Sequence, residues 1–227
     1  MSESINRIVL LSASPKVDQE WAVSNLLVQR GEALLKSEQS DVVIIPVRHA
    51  LMHHETAVAF DLMQEADAIV MIFPLYFFCL PAMLTRFLQD FAGQRPKATK
   101  ASAVYAIVNC GFPEPEINAE AMRVVEMFAR HTGRSFGGGV MIGCGGMVLG
   151  AQGAPFMRTV MASIDALFAR VKREAAGQDL IEVQIAVVAP KFPRKLYFLA
   201  GNAGWRSSAR KNHLKSKDLY RAPYQSK

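Results

Sequence analysis

Hydroxyl side chains and one lysine follow the first apolar run of the sequence, in the stretch SASPK (12–16). A tight turn that leads into a helix presents backbone N–H groups, and serine hydroxyls add neutral donors, so such a stretch can bind a phosphate. The candidate contacts are Ser12, Ser14, Lys16 and Ser24. The alternative is that the serines only form the turn and cap the helix, while Lys16 points into solvent.

A second group of candidate residues is aromatic and lies in the stretch PLYFFCLPA (74–82). Tyr76, Phe77 and Phe78 stand between two prolines and do not follow a helical period. Rings fixed in such a loop can stack on a flat heterocycle. For Phe77 and Phe78 individually, a hydrophobic plug or a contact in a dimer is the favoured interpretation. Tyr76 is therefore the strongest ligand candidate of the three.

The elements that position these loops alternate strictly between strand and helix. Five apolar runs without polar alternation predict buried parallel strands. The runs are 8–11, 42–45, 68–73, 104–108 and 140–143. Amphipathic helical patterns lie between them, and this alternation predicts an α/β domain with a five-stranded parallel sheet flanked by helices. A further segment, 181–187, alternates apolar and polar residues, which indicates a half-exposed extra strand.

The loops that follow the predicted strands are expected to share one crevice. Ligands of an open parallel sheet bind beyond the carboxyl ends of its strands, where strand order reverses. Four of these loops are rich in Ser, Gly, Pro and aromatic residues and poor in charge. They are 12–16, 74–82, 109–116 and 144–155.

Composition places the chain among folded globular proteins. It has 227 residues, and 51% of them are hydrophobic, which suffices for one sizeable domain. No apolar run reaches the roughly 18 residues of a membrane-spanning helix, and the first residues lack the order of a secretory signal. Three widely spaced cysteines favour free thiols in a reducing compartment over disulfides or an iron–sulfur cluster. A cytoplasmic protein without a membrane partner is therefore expected.

Positive charge is concentrated near the carboxyl-terminal end of the sequence. Residues Lys191 to Lys227 hold ten Lys or Arg against one acid, Asp218, and carry +9, whereas the remainder carries −3 of the total of +6. Such a cluster can bind nucleic acid or an anionic membrane. Because the rest of the sequence holds no nucleic-acid motif, the favoured interpretation is a tail that packs by its aromatic residues or binds an anionic small ligand.

Three other clusters carry weaker signals. His49, His53, His54 and Glu55 are close in sequence, but no carboxylate pattern of a metallohydrolase follows. A surface or interface turn is therefore favoured, and no metal is expected. The cysteines are expected to act as small buried apolar residues and not as redox thiols. The stretch GRSFGGG (133–139) precedes a strand and is expected to be a tight helix-to-strand connection.

Two motifs carry a resemblance to a known family. Ser14-Pro15-Lys16 is followed by Ser24 at a helix start, and Pro74-Leu75-Tyr76 is followed by a proline-led helix. Together they resemble the flavodoxin-like NAD(P)H-dependent FMN reductase family, over about residues 5–175 and in the order of elements. The resemblance implies a flavodoxin-like domain over residues 1–180. Residues 181–227 would form a basic C-terminal extension that packs on this domain or on a partner.

The resemblance also implies where FMN would lie. Its phosphate would lie against the first loop and its isoalloxazine against 74–78, with the ring edge toward 109–112. The implied cofactor contacts are Ser12, Ser14, Lys16, Ser24, Pro74, Leu75, Tyr76, Phe77, Asn109, Cys110, Gly111 and Phe112. No single catalytic residue is implied, because the redox chemistry belongs to the cofactor.

The function that the resemblance implies is an FMN-dependent NAD(P)H oxidoreductase. NAD(P)H would be the electron donor and a quinone, nitro or azo compound the acceptor. A homodimer is expected, because a partner could close the site at the aromatic third loop, whereas nucleic acid is not expected as a partner. The alternative is a flavodoxin-like electron-transfer or flavin-binding module without nicotinamide turnover, whose basic tail docks an acidic protein.

Overall fold

The computed structural model describes residues 5–16 and 22–222 of the chain. The strands and helices are β1 (Asn6–Ser12), α1 (Val23–Leu35), β2 (Ser40–Pro46), α2 (Val47–Met52), α3 (Thr56–Gln64), β3 (Ala68–Pro74), α4 (Ala82–Gln94), β4 (Ala103–Asn109), α5 (Ala119–His131), β5 (Ser135–Ile142), α6 (Gly146–Ala151), α7 (Arg158–Ala175), β6 (Gln184–Val188) and α8 (Arg194–Lys211). All five apolar runs of the sequence form strands, as predicted.

The sheet has six strands in the order β2-β1-β3-β4-β5-β6, and every neighbouring pair is parallel. The predicted count of five is therefore wrong by one strand. The segment 181–187 supplies most of the sixth, which pairs with β5 from Gly138–Gln184 to Ile142–Val188. Helix α7 crosses from β5 to β6, which makes the two strands parallel. Because β6 is an edge strand and stays partly exposed, its sequence alternates where those of the inner strands do not.

Each face of the sheet buries its own apolar cluster. On β1, Val9 and Leu11 belong to one cluster and Ile8 and Leu10 to the other, because successive strand residues point to opposite faces. Helices α2 to α5 contribute to the first cluster, whereas α1, α6 and α7 contribute to the second. Since both faces are covered, the inner strands are apolar along most of their length.

Strand order reverses between β1 and β3. The chain passes from β1 to β2 on one side and then to β3 on the other side of β1. The Ala13 N–H donates to the Ile72 carbonyl at 3.0 Å, so the pairing of β1 with β3 continues into the first loop. The ligand crevice of an open parallel sheet lies at such a reversal. The first, third and fourth loops leave the adjacent strands β1, β3 and β4 there.

A buried polar network joins β4, β5 and α7. The Tyr105 hydroxyl donates to the Glu174 carboxylate, while Arg170 donates to the same carboxylate at 3.0 Å and to the Gly137 carbonyl at 2.8 Å. Burial, and then the hydrogen bond to Glu174, raises the pKa of Tyr105, so its hydroxyl stays protonated. Residue 137 must be glycine, because a Cβ there would lie 2.1 Å from the Tyr105 ring.

The chain divides into two compact units, Met1–Pro190 and Lys191–Lys227. Because β6 belongs to the sheet, the first unit extends to Pro190 and not only to residue 180. Helix α8 forms most of what is described of the second unit and is followed by one 3₁₀ turn, Ser216–Tyr220. Over the described ranges, no helix combines the length and the apolar character that crossing a bilayer requires.

Candidate functional site

The first loop holds the predicted phosphate-binding serines between β1 and the start of α1. Ser12, Ser14 and Ser24 are all buried. The Ser12 hydroxyl lies 3.3 Å from Oδ1 of Asn25, and the Ser14 hydroxyl oxygen accepts the backbone N–H of Lys16 at 3.1 Å. The Ser14 bond is the turn contact that the alternative interpretation expects. A phosphate contact would therefore compete with this bond, at least at Ser14.

The start of α1 is a helix N-terminus, and the N–H groups of such a terminus suit an anion. The helix begins after Ala22, whose side chain makes no capping hydrogen bond. On the other side of the loop, Arg48 of α2 donates to the Pro15 carbonyl at 3.2 Å, and Lys16 is exposed. Residues 17–21 lie outside the described residues. The phosphate contacts of this loop stay a prediction.

The third loop contains a hairpin turn made of two phenylalanines, which we call the Phe-Phe turn (76–79). Tyr76 and Cys79 exchange both backbone hydrogen bonds, at 3.0 and 2.9 Å. Between them, Phe77 and Phe78 have φ angles of +47° and +62°. Positive φ at both central residues is the pattern of a type I′ turn, in which Asn and Gly are the usual residues. The left-handed conformation costs about 1–2 kcal/mol for each residue with a Cβ.

The strained Phe-Phe turn leaves its two rings exposed to solvent. Phe77 is 97% exposed, and Phe78 is exposed as well. Strained backbone and exposed aromatic surface both oppose stability, and their combination at a sheet's ligand edge is typical of a functional site.

A cavity of about 690 Å³ lies beside the Phe-Phe turn, and we call it the α4 cavity. Its walls include Pro15 of the first loop, Tyr76, Phe77 and Leu80 of the third loop, and Met83, Arg86 and Gln89 of α4. The volume falls within the range of about 300–1,000 Å³ that is usual for small-molecule sites. Since Pro15 and Tyr76 line the same cavity, the first and third loops meet at one edge of the sheet.

The fourth loop is fastened to the third at the ends of β3 and β4. The Asn109 carbonyl accepts the Leu75 N–H at 2.8 Å, and the Asn109 side-chain amide donates to the Phe73 carbonyl at 3.3 Å. Further along both loops, the rings of Phe78 and Phe112 are 16° from parallel, with centres 6.4 Å apart. The third and fourth loops therefore approach each other through backbone, amide and rings.

The Phe78–Phe112 pair offers ring faces to a flat ligand. Aromatic pairs have centres about 4.5–7 Å apart, so this pair is at the wide end of the range. Both rings are exposed, so a planar ligand can stack on them.

The fifth loop holds the fourth loop in place. The Cys144 N–H donates to the Phe112 carbonyl and the Gly145 N–H donates to the Cys110 carbonyl, both at 2.7 Å. Gly145 also allows a close approach, because a Cβ there would lie 2.8 Å from Oδ1 of Asn109. The backbone that carries Phe112 is thus anchored from the β5 side.

The cysteines differ in accessibility, and Cys110 is well protected. Burial raises the pKa of the Cys110 thiol above its ordinary value, although hydrogen bonds with Phe112 and Asn118 oppose this effect. The thiolate is the reactive form, so a buried thiol with a raised pKa reacts slowly. Cys144 is also buried, whereas Cys79 is half-buried and lines the α4 cavity.

We expect iodoacetamide at about pH 8 to modify Cys79 well before Cys110 and Cys144 in the folded protein. In urea, all three should react at similar rates, which controls for differences between the peptides. Peptide mass spectrometry over a time course measures each rate. A Cys110 adduct that forms as fast as the Cys79 adduct would contradict the protected placement of this thiol.

The histidines near α2 do not build a metal site. His49 and His53 stack with ring centres 4.1 Å apart, and Nδ1 of His49 lies 3.3 Å from the Glu55 carboxylate. Within residues 5–16 and 22–222, no group of three or more His, Cys, Asp or Glu side chains could hold a metal ion.

The chain is similar to known proteins in structure. No model of a known protein family matches the sequence, and no curated protein matches it either. An NADH:FMN oxidoreductase in its apo form matches with a TM-score of 0.55 and 16% identity, over 74% of this chain and 89% of that one. An FMN-dependent NADH-azoreductase from Bacillus anthracis str. Ames Ancestor, in complex with FMN, matches with a TM-score of 0.52 and 10% identity, over 74% and 100%. The fold is flavodoxin-like.

A third flavodoxin-like structure supports the same assignment. An NADPH-quinone reductase from P. pentosaceus matches with a TM-score of 0.51 and 15% identity, over 75% of this chain and 97% of that one. At these identities the likeness concerns the fold. The three proteins are covered almost completely, whereas about a quarter of this chain lies outside each match.

In this flavodoxin-like chain, half of the predicted site residues lie at the α4 cavity or at the contacts between the third and fourth loops. Tyr76 and Phe77 line the α4 cavity, Phe112 faces Phe78, and Pro74, Leu75 and Asn109 form the link between β3 and β4. Gly111 is exposed beside Phe112, with open space where a Cβ would lie. The side chains of Ser12, Ser14, Ser24 and Cys110 are buried, and that of Lys16 is exposed.

The sequence interpretation missed one ring and one wall of the site. It did not select Phe78, because an aromatic residue in a loop is as typical of a hydrophobic plug as of a ligand site. It also missed Met83, Arg86 and Gln89, which lie at spacings of three on α4. This spacing indicates one helix face, but nothing in the sequence says that the face borders a cavity.

Proposed function

We propose that the protein is an FMN-dependent NAD(P)H oxidoreductase that passes electrons to a small acceptor. The observation that carries this proposal is the approach of three loops at the strand reversal. Pro15 and Tyr76 of the first and third loops line one cavity. The rings of Phe78 and Phe112, which are 16° from parallel, bring the third and fourth loops together. An open parallel sheet binds its ligands at this position, and the rings match the planar shape of a flavin.

The residues present fit FMN by their chemistry. The N-terminus of α1, together with Lys16 of the first loop and Arg48, which donates to the Pro15 carbonyl of that loop, suits a phosphate. Phe78 and Phe112 would hold the isoalloxazine, with Tyr76 at its border. Bound FMN supplies a group that accepts a hydride from NAD(P)H and later releases the electrons. The chain's own residues would bind the cofactor, orient it and exclude water from its face.

The α4 cavity would receive the acceptor. Its wall is mostly apolar, which favours flat, weakly polar molecules such as quinones, nitro compounds and azo compounds. Solved structures of this fold include an azoreductase and a quinone reductase, which supports these classes of acceptor. Of the lining residues, Arg86 is the charged one, and it is paired with Asp90 at 2.8 Å.

A homodimer and a cytoplasmic location belong to the same proposal. A nearly fully exposed phenylalanine, Phe77, beside an apolar cavity favours a second copy that covers this edge. Cys79, Cys110 and Cys144 form no disulfide bond, which favours a reducing compartment.

The first test is the visible absorption spectrum of the purified protein. We expect a yellow protein, or a colourless one that keeps added FMN after gel filtration, and bleaching when NADH or NADPH is added without oxygen. Oxidation of the reduced protein by a quinone or an azo dye should restore the colour. Protein that binds no FMN in a titration would overturn the proposal.

Two variants locate the cofactor. Tyr76→Ala should weaken FMN binding by about tenfold, which is the effect expected from one lost aromatic contact. Tyr220→Ala, the same change at an exposed site in the second unit, should leave FMN binding unchanged. Equal affinities in both variants would remove Tyr76 from the site.

The alternative function is a flavin-binding electron carrier without nicotinamide turnover. The concentration of basic residues after Pro190 favours docking of an acidic protein partner. In that case the protein would bind FMN but would not bleach with NADH or NADPH. Its partner binding would weaken as salt is added.

A further inference from the structure

Helix α8 exposes large apolar side chains that the proposed oxidoreductase function does not use. Phe198 is 45% exposed and Trp205 is 71% exposed. They are seven residues apart, which is close to two helical turns, so they lie on the same side of the helix. Leu196 and Leu199 are exposed as well. Leu199 and Leu196 lie roughly 110° and 170° around the helix from this pair, so the apolar side chains are spread over a broad surface and do not form one narrow face. Four large apolar side chains exposed on one helix are unfavourable in water and indicate a binding surface.

The same helix is strongly basic. No acidic residue occurs between Lys191 and Lys217, a stretch with eight Lys or Arg. Arg194, Lys195, Arg206 and Arg210 are exposed on α8, and the Arg194 guanidinium lies 5.5 Å from the centre of the Phe198 ring. The partner of this surface must therefore be anionic, and it must also accept aromatic and aliphatic side chains.

We propose that α8 binds the surface of a membrane that contains anionic lipid. Interfacial helices combine Trp, Phe and Leu with Lys and Arg, because the rings enter the headgroup boundary while the cations contact lipid phosphates. Nucleic acid explains the charge and the rings but not the exposed Leu196 and Leu199, which neither pair with phosphates nor stack on bases. This binding lies along a surface and needs no spanning helix. It therefore departs from the expectation of no membrane partner, which rests on the lack of apolar runs long enough to span a bilayer. It is independent of the proposed oxidoreductase function.

Vesicle sedimentation of the full chain tests the proposal. We expect the protein to sediment with vesicles of phosphatidylcholine that contain about 30% phosphatidylglycerol, and to stay in solution with phosphatidylcholine alone. Binding should weaken in about 1 M salt, where charges are screened over about 3 Å. The tryptophan emission should shift to shorter wavelength on binding. Trp205→Phe, which leaves Trp21, should abolish that shift.

Charge variants separate a specific surface from net charge. Arg206→Glu with Arg210→Glu should lower vesicle affinity by about tenfold or more, since each basic residue near the surface contributes substantially. Lys36→Glu with Arg123→Glu makes the same change in net charge at exposed positions of the first unit and should have little effect. Circular dichroism verifies that both variants are folded.

Three outcomes would overturn the proposal. The first is equal sedimentation with both kinds of vesicle or with neither. The second is an equal loss of binding in the two charge variants. The third is tight binding to labelled DNA or RNA that Arg206→Glu with Arg210→Glu abolishes, without any binding to the anionic vesicles.

Discussion

Replacing the two strained phenylalanines of the Phe-Phe turn by asparagine and glycine, in the variant Phe77→Asn/Phe78→Gly, should raise the free energy of unfolding by about 2–4 kcal/mol. The gain arises because two residues with positive φ each cost about 1–2 kcal/mol when they carry an unsuited side chain. Asn-Gly is the preferred sequence of a type I′ turn, so the backbone need not change. The same variant should bind FMN about tenfold less tightly, because the Phe78 ring no longer faces Phe112.

The single variants separate stability from binding. Phe77→Asn should give about half of the stability gain with little effect on FMN affinity, whereas Phe78→Gly should carry most of the affinity loss. Urea unfolding measures stability in the absence of FMN, and fluorescence titration measures FMN binding. If the double variant is no more stable than the natural chain, the turn is not strained. If its FMN affinity is unchanged, Phe78 does not contact the cofactor.

This turn also shows where the sequence stops being informative. Two prolines and a non-periodic aromatic run predict the third loop between β3 and α4. They do not predict a hairpin turn, because Phe-Phe is a poor sequence for positive φ. The turn is closed by the two backbone hydrogen bonds between Tyr76 and Cys79, which the local preference of the phenylalanines does not predict. The sequence alone therefore gives no reason to select Phe78, although its ring faces that of Phe112 in the structure.

The predicted start of β5 is also wrong, because of the glycines at 137–139. Glycine is depleted in strands, so the sequence places a connection there and begins the strand at 140. The strand in fact begins at Ser135 and contains all three glycines. Gly137 makes room for the Tyr105 ring, and a Cβ at Gly139 would lie 1.9 Å from the Ala106 carbonyl oxygen. These requirements come from β4, which is distant in sequence.

The convergence of loops could be predicted because it follows from topology. Apolar runs without polar alternation require a parallel sheet, and a parallel sheet gathers the loops after its strands at one edge. The meeting of Pro15 with Tyr76 in the α4 cavity follows this logic. The remaining wall could not be predicted, because the exposure of Met83 and Arg86 depends on how α4 packs and not on its own pattern.

Removing the Glu174 carboxylate should destabilise the protein by about 3–5 kcal/mol, the cost of breaking a buried ion pair. Glu174 and Arg170 have side chains only 2% and 10% exposed, and the pair also holds the Tyr105 hydroxyl. In Glu174→Ala the Arg170 charge stays inside and keeps mainly carbonyl acceptors such as that of Gly137. Urea unfolding at neutral pH measures the loss, and a fall in Tm should accompany it.

A matched pair on another helix isolates the contribution of burial. Glu126 and Arg130 of α5 are also four residues apart and are in contact at 2.6 Å, but the Arg130 side chain is 68% exposed. Glu126→Ala should therefore cost less than about 1 kcal/mol, since water can replace the lost partner. If Glu126→Ala and Glu174→Ala cost the same, the network between β4, β5 and α7 does not hold a buried charge. A triple variant, Glu174→Leu with Arg170→Met and Tyr105→Phe, removes all three polar side chains of the network. If it is more stable than Glu174→Ala, the loss of stability in Glu174→Ala comes from the polar groups left without partners.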